Sequence, residues 1–249
     1  MGFNLLSYVV GDIQHMMKEY NINQTTLKIM SLYSNDYKKS LHIRQVAREI
    51  DIDVKACFLQ LAKLEKNGIL SSASNGRNKE YSLNLINYTT KQFLGMAEAF
   101  TAASFLLNNF VIKKLVTDLS GRINGTVVLF GSYAAGKQVK ESDIDLLVIK
   151  SDRRSAISIE DESRLLGVEI DLKSTTEKEF LTGLEKSDRL LNEVVLNHVV
   201  LKGTDTFCDL MWEYSAGRNR AAPMVQEPKQ GNKRNQALGQ PRQSIPGKI

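Results

Sequence analysis

What the chain has little of narrows it first. Its 249 residues include two cysteines, four prolines, three histidines and one tryptophan. Cys57 and Cys208 lie far apart, inside helical patterns and without metal-ligand spacing. That excludes a disulfide framework and a cysteine-held zinc, and predicts two reduced packing residues in a cytoplasmic protein. The most apolar stretch, Ala97 to Val116, is interrupted by Asn108, Asn109, Lys113 and Lys114, and the N-terminus shows no charged region followed by a cleavage site. Neither a membrane span nor a signal peptide is expected. Proline is absent before Pro223; all four prolines (Pro223, Pro228, Pro241, Pro246) fall near the C-terminus amid Gly, Gln and Asn. Residues 215–249 therefore read as a disordered basic tail. The net charge of +5 belongs to it: the tail holds seven Lys or Arg against one acid, Glu227, which leaves about −1 for everything before it. A basic tail touches nucleic acid weakly and without sequence preference, so the overall charge is no argument for a nucleic-acid partner.

What is present centres on Leu129 to Lys150. An apolar, β-rich run, Thr126 to Phe130, stops at Gly131-Ser132, and a second run, Ile144 to Ile149, begins beside Asp143 and Asp145. Residues two apart on a strand share a face, about 6.6 to 6.8 Å from one another. Two carboxylates fixed side by side are costly unless a cation neutralises them, and a hard, oxygen-seeking ion such as Mg²⁺ suits them. A glycine at the preceding strand's end lets backbone N–H groups approach a phosphate, and a serine hydroxyl can bond one. Nucleotide plus metal is the implied ligand. A third acid is offered by Gly167 to Leu172, where Val168, Ile170 and Leu172 would face one side and Glu169 and Asp171 the other. Either could serve; Asp171, between two apolar residues, is favoured.

Gly131-Ser132, ten residues, then Asp143-Ile144-Asp145, together with the flanking apolar runs and Ser142, resembles the minimal nucleotidyltransferases of the DNA polymerase β-like superfamily. The resemblance implies transfer of a nucleoside monophosphate from an NTP, with ATP favoured, to a hydroxyl of a protein or nucleic-acid acceptor. It implies Asp143, Asp145 and Asp171 as catalytic residues and ligands of two Mg²⁺ ions, and Gly131 and Ser132 as the phosphate cradle. Family members often carry an arginine where this chain has Ala135, and Lys137 is the candidate substitute. The same resemblance offers an antitoxin that adds AMP to a partner ribonuclease.

Residues 24–84 form a second block. Thr25 to Tyr33 has helical spacing, Ser40 is placed to cap a helix over Ile43 to Ile50, and Asp51-Ile52-Asp53 turns into a helix from Val54 that Gly68 ends. Two strand-like runs around Ser74 to Asn78 predict a hairpin. The order helix, helix, turn, helix, hairpin, with Leu61 to Leu70 followed by a basic hairpin, resembles the winged-helix transcription regulators. In that reading Lys55, Gln60 and Lys63 face DNA from the recognition helix, and Arg77 and Lys79 meet phosphates from the wing. Such modules also dock proteins. Residues 1–90 hold eleven Lys or Arg against eight acids, a modest excess for a DNA binder. A third possibility joins the blocks: a DNA-binding regulator whose nucleotidyltransferase fold only senses nucleotide.

Between them, Phe93, Met96, Phe100, Ala103, Leu107, Phe110 and Leu115 recur at helical spacing and predict one long amphipathic helix, a core element or a homodimer seam. His198 stands alone at a helix-to-strand junction and reads as structural. The expected protein is α+β: a winged helix-turn-helix over 1–88, a linking helix over 89–120, an α/β nucleotidyltransferase fold with a small mixed sheet over 121–214 and a tail over 215–249.

Overall fold

The computed structural model describes residues 22–76, 78–151 and 159–220. The described residues begin with helix α1 (Gln24–Ser31), whose first turn is closed by the Asn23 side chain accepting from the Thr26 N–H at 2.9 Å. A three-residue strand, β1 (Ser40–His42), precedes α2 (Ile43–Ile50). The sequence expectation that Ser40 caps α2 is corrected here. Ser40 is paired opposite Ser82 in a sheet, and the cap is His42, whose Nδ1 accepts from the Gln45 N–H at 3.1 Å. Leu41 explains the difference, because alternation along this short strand buries it while its neighbours stay exposed.

Asp51, in the left-handed region at φ 57°, ends α2. The Asp53 carboxylate then accepts from the N–H groups of Lys55 and Ala56, opening α3 (Val54–Lys66). Strands β2 (Leu70–Asn75) and β3 (Asn78–Leu83) pair antiparallel from Leu70↔Leu83 to Asn75↔Asn78, a hairpin with β3 at the centre of a three-stranded sheet. Arg77, at its tip, lies outside the described residues.

The long linking helix is corrected to two: α4 (Tyr88–Asn108) and α5 (Phe110–Leu119), meeting at 118°. Asn109 leaves helical geometry (φ −126°, ψ 77°), and two amide side chains take over the end of α4, Asn108 donating to the Ser104 carbonyl and Asn109 to the Phe105 carbonyl. Asparagine competes in this way with the helix ladder. The apolar stripe serves two cores: Phe93, Leu94 and Ala97 face one, and Ala102 near the end of α4 joins Ile112, Leu115 and Leu119 of α5 in the other. Leu107 and Phe110 stay exposed at the elbow. Among the described residues no single helix is long and apolar enough to cross a membrane.

Those two cores are the two faces of a second sheet. Its strands β4 (Thr126–Phe130), β5 (Ile144–Lys150), β6 (Ile170–Thr176) and β7 (Val199–Lys202) lie in the order β6-β5-β4-β7, with β5 and β6 parallel and the other pairs antiparallel. Val128, Phe130, Leu147, Ile149 and Val200 face a core that runs without interruption into the N-terminal helices. Val127, Leu129, Leu146 and Val148 face the other, under α5. Between these strands come α6 (Gly131–Ala134), α7 (Glu160–Leu166), α8 (Glu177–Glu185) and α9 (Arg189–Leu196), and α10 (Thr204–Arg220) closes the fold. The expected end of the folded body at Tyr214 moves outward, since α10 runs six residues further with Ser215 buried. The rest of the tail, from residue 221, lies outside the described residues.

Candidate active site

The site begins at the turn from β4 into α6. Gly131 sits at φ 69°, in the left-handed region, and a Cβ there would collide with an oxygen of Asp145 and stand 3.0 Å from its Cγ. Only glycine permits both the turn and this approach. Ser132 follows, half-buried, and its carbonyl accepts from the Lys137 N–H at 2.9 Å. Lys137 itself is exposed, in the loop after Gly136, and Ala135 is the half-buried C-cap of α6.

Facing this turn are the acids. Asp145 is paired across the antiparallel ladder with Phe130 and across the parallel ladder with Asp171. Neighbouring strands are about 4.8 Å apart and in-register side chains share a face, so the two carboxylates stand side by side. Asp143 is exposed at the mouth of β5. Glu169, the alternative third acid, precedes β6 and is exposed, and its carbonyl accepts from the Ile144 N–H.

Crowding shows in the protonation of Asp145. Partial burial, then the Asp171 charge, push its pKa above the usual carboxylate value; Lys173 opposes them, and Asp143 and Glu193 add to the rise. Lys173 and Glu193 were not singled out in the sequence. Lys173 forms an ion pair with Asp171, and its position two residues along the same strand is a signal that strand alternation could have supplied. Glu193 has no such signal, because α9 reaches the site only through tertiary packing.

Among the described residues no three carboxylate, imidazole or thiol groups are already gathered as a metal cage. The donor set nevertheless fits a hard divalent cation. It is all carboxylate oxygen, and among the described residues Lys173 is the one cation that offsets the charge around Asp145.

The residues read as facing DNA are spread over two elements. On α3, Lys55 and Lys63 are exposed and Gln60 is half-buried, but the same surface also exposes Val54, Phe58 and Leu59. Lys79 on β3 is engaged, bonded to Glu65 at 2.7 Å with its ammonium 5.0 Å above the Tyr81 ring. His198 is buried away from the acids, bonded to Glu98 at 3.3 Å and, through Nδ1, to the Val195 carbonyl at 2.9 Å.

Residues 111–197 match the family model described as a nucleotidyltransferase domain. No curated protein matches the chain. A solved structure described as "Crystal structure of the toxin-antitoxin with AMP-PNP" is 22% identical, over 44% of this chain and 86% of that one, with a TM-score of 0.31. A likeness that loose carries no argument.

Proposed function

Residues 111–197 are a nucleotidyltransferase domain, and from that premise we propose that the chain moves a nucleoside monophosphate from an NTP, ATP in the first instance, to a hydroxyl of a protein or nucleic-acid acceptor. The observation that carries this is the Asp145–Asp171 register beside Gly131, which puts paired acids against the turn suited to a phosphate.

In this reading the backbone at Gly131 and the Ser132 hydroxyl seat the β- and γ-phosphates, with Lys137 supplying the cation that Ala135 does not. Asp143, Asp145 and Asp171 are the residues that would hold two Mg²⁺ ions. When bound, the ions neutralise the acids and stabilise the attacking and leaving oxygens. Asp171, released from Lys173, takes the proton of the acceptor hydroxyl as that oxygen bonds to the α-phosphorus and pyrophosphate leaves.

The N-terminal block reads best as a winged-helix module, supported by its order of α1, β1, α2, α3 and the β2–β3 hairpin. Val54, Phe58 and Leu59 on α3 support a protein partner for it, the acceptor of an antitoxin-like enzyme included. Exposed Lys55 and Lys63 support the other reading, a DNA-binding regulator that senses nucleotide.

Calorimetry of the whole chain with ATP and Mg²⁺, followed by mass spectrometry of lysate proteins for nucleotide-sized adducts, tests the enzyme reading. Heat and adducts are expected with the wild type and neither with Asp143→Ala/Asp145→Ala. Binding that survives the double substitution would sink it.

A further inference from the structure

A cavity of about 320 Å³ lies where the N-terminal helices meet the nucleotidyltransferase domain, with a wall contributed by Ala134 of α6. That volume is at the lower end of small-molecule sites, which suits one base and its sugar. The polar lining is mixed. Ser34 lines it, and its Oγ is buried without a hydrogen-bond partner. Lys39 and Asn35, bonded to each other at 2.6 Å, offer a donor and an acceptor. Asn197 adds an amide from the α9–β7 junction, while Leu32, Ala134 and Leu196 supply apolar surface.

Phosphate is not what this lining selects. Glu49 and Glu98 line it against the single cation Lys39, and His198 is bonded to Glu98. A flat heteroaromatic base flanked by hydroxyls needs the opposite set: donors and acceptors on side chains, with apolar faces between them. The location fits as well. Ala134 is three residues beyond Gly131 on the same short helix, about 4.5 Å at 1.5 Å per residue.

We propose that this cavity holds a nucleoside, its base against Leu32, Ala134 and Leu196 and its polar edge and sugar hydroxyls on Ser34, Asn35, Lys39 and Asn197. The inference deepens the proposed function and rests on that reading for the placement of the phosphates. It gives the N-terminal block a role that neither DNA binding nor protein docking contains, since the block completes the nucleotide site. The nucleoside comes from one of two sources, the donor NTP or the terminal nucleoside of an acceptor.

The test uses the full chain and calorimetry with Mg²⁺, titrating the four nucleoside triphosphates, inorganic tripolyphosphate and the four free nucleosides. Leu196→Trp, at a rim position 60% exposed, fills the cavity without disturbing a core, and Ser34→Ala/Asn35→Ala removes two of its four polar contacts. If the donor supplies the nucleoside, both variants lose about tenfold or more in NTP affinity and keep tripolyphosphate affinity. If an acceptor supplies it, a free nucleoside binds the NTP-saturated wild type, and the variants lose that binding alone. Unchanged affinity for every NTP and nucleoside in both variants, or wild type that binds neither kind of ligand, overturns the proposal. Tripolyphosphate separates the two failures: binding abolished by Asp143→Ala/Asp145→Ala keeps the function reading even when the cavity proposal falls, and a nucleoside bound without tripolyphosphate does the reverse.

Discussion

Acidic side chains are taken out of water in two places, and they are treated differently. At the end of the second sheet Asp145 is half-buried beside Asp171, with Asp143 and Glu193 near and only Lys173 opposing them. At the junction Glu98 is more deeply buried, 1% exposed, yet it meets His198, itself 3% exposed, at 3.3 Å. Burial of a charge is tolerated when a matched partner goes with it and is costly when like charges are added. The junction pair has the form of a structural contact. The strand ends have the form of a site awaiting positive charge, and their excess of acid is what a folded protein would remove if stability alone decided.

The sharpest way to break that contrast is Asp145→Asn. Transfer is expected to fall by roughly 10² or more, the scale of losing a ligand that acts in the transition state. Stability of the metal-free protein should move the other way. Asp145 has a folded pKa raised above its ordinary value, by burial first and Asp171 second. Above both the folded and unfolded values the ionised group therefore costs stability, and that cost fades as pH falls through the folded value. The variant should melt higher than wild type at neutral pH, with the gap closing on acidification. A variant that melts lower at neutral pH would remove the claim that the site is held under charge stress.

Glu98→Gln probes the other side. It leaves His198 buried without its carboxylate, and breaking one partner of a buried pair typically costs about 3–5 kcal/mol. Denaturant unfolding of Glu98→Gln, His198→Gln and the double variant measures it, and the double variant should lose less than the two singles together. The pH trend has a fixed sign. Burial lowers the His198 pKa, but the Glu98 charge, their hydrogen bond and the backbone carbonyls outweigh it, so the net shift is upward. The pair's contribution is thus complete below the ordinary value of 6.5 and is lost as pH rises through the folded value. Glu98→Gln should erase that slope. A wild type whose stability rises over the same range would contradict the assignment.

The acids at the strand ends were far more legible in the sequence than the junction, for a physical reason. Gly131, Asp143 and Asp145 lie within one strand–turn–strand stretch, where a two-residue period and a short loop dictate geometry. Placing Asp171 needed one further step, the alternation of Val168, Ile170 and Leu172, and the parallel register with β5 puts it opposite Asp145. Strand β1 escaped because three residues show almost no period. The elbow at Asn109 escaped because apolar spacing continues through it, although the paired Asn108 and Asn109 were the available cue. The cavity is drawn from α1, α2, α4, α6 and the α9–β7 junction, elements far apart in the chain. No local pattern encodes such a meeting, and His198 could be read as structural without revealing Glu98 as its partner.

The smallest expected effect is also the finest discriminator between the two regions, and it concerns Lys173. Its pair with Asp171 resembles the Glu98–His198 pair on paper, but the side chains are 38% and 46% exposed, and such surface pairs contribute about 0–1 kcal/mol. Lys173→Met should therefore shift the melting temperature by no more than a few degrees, since 1 kcal/mol corresponds to about 2–4 °C in a protein of this size. Its consequence should lie in cation binding. If Lys173 holds the position that a divalent ion occupies next to Asp171, removing it relieves competition for that carboxylate, and Mg²⁺ affinity should rise a few fold when titrated without nucleotide. Were the ammonium instead a fixed part of the fold, Lys173→Met would lower the melting temperature by much more and leave Mg²⁺ affinity unchanged or weaker. Calorimetry and a thermal melt on one preparation decide it, because a placeholder raises Mg²⁺ affinity at little cost in melting temperature, whereas a structural pair costs melting temperature and brings no gain in affinity.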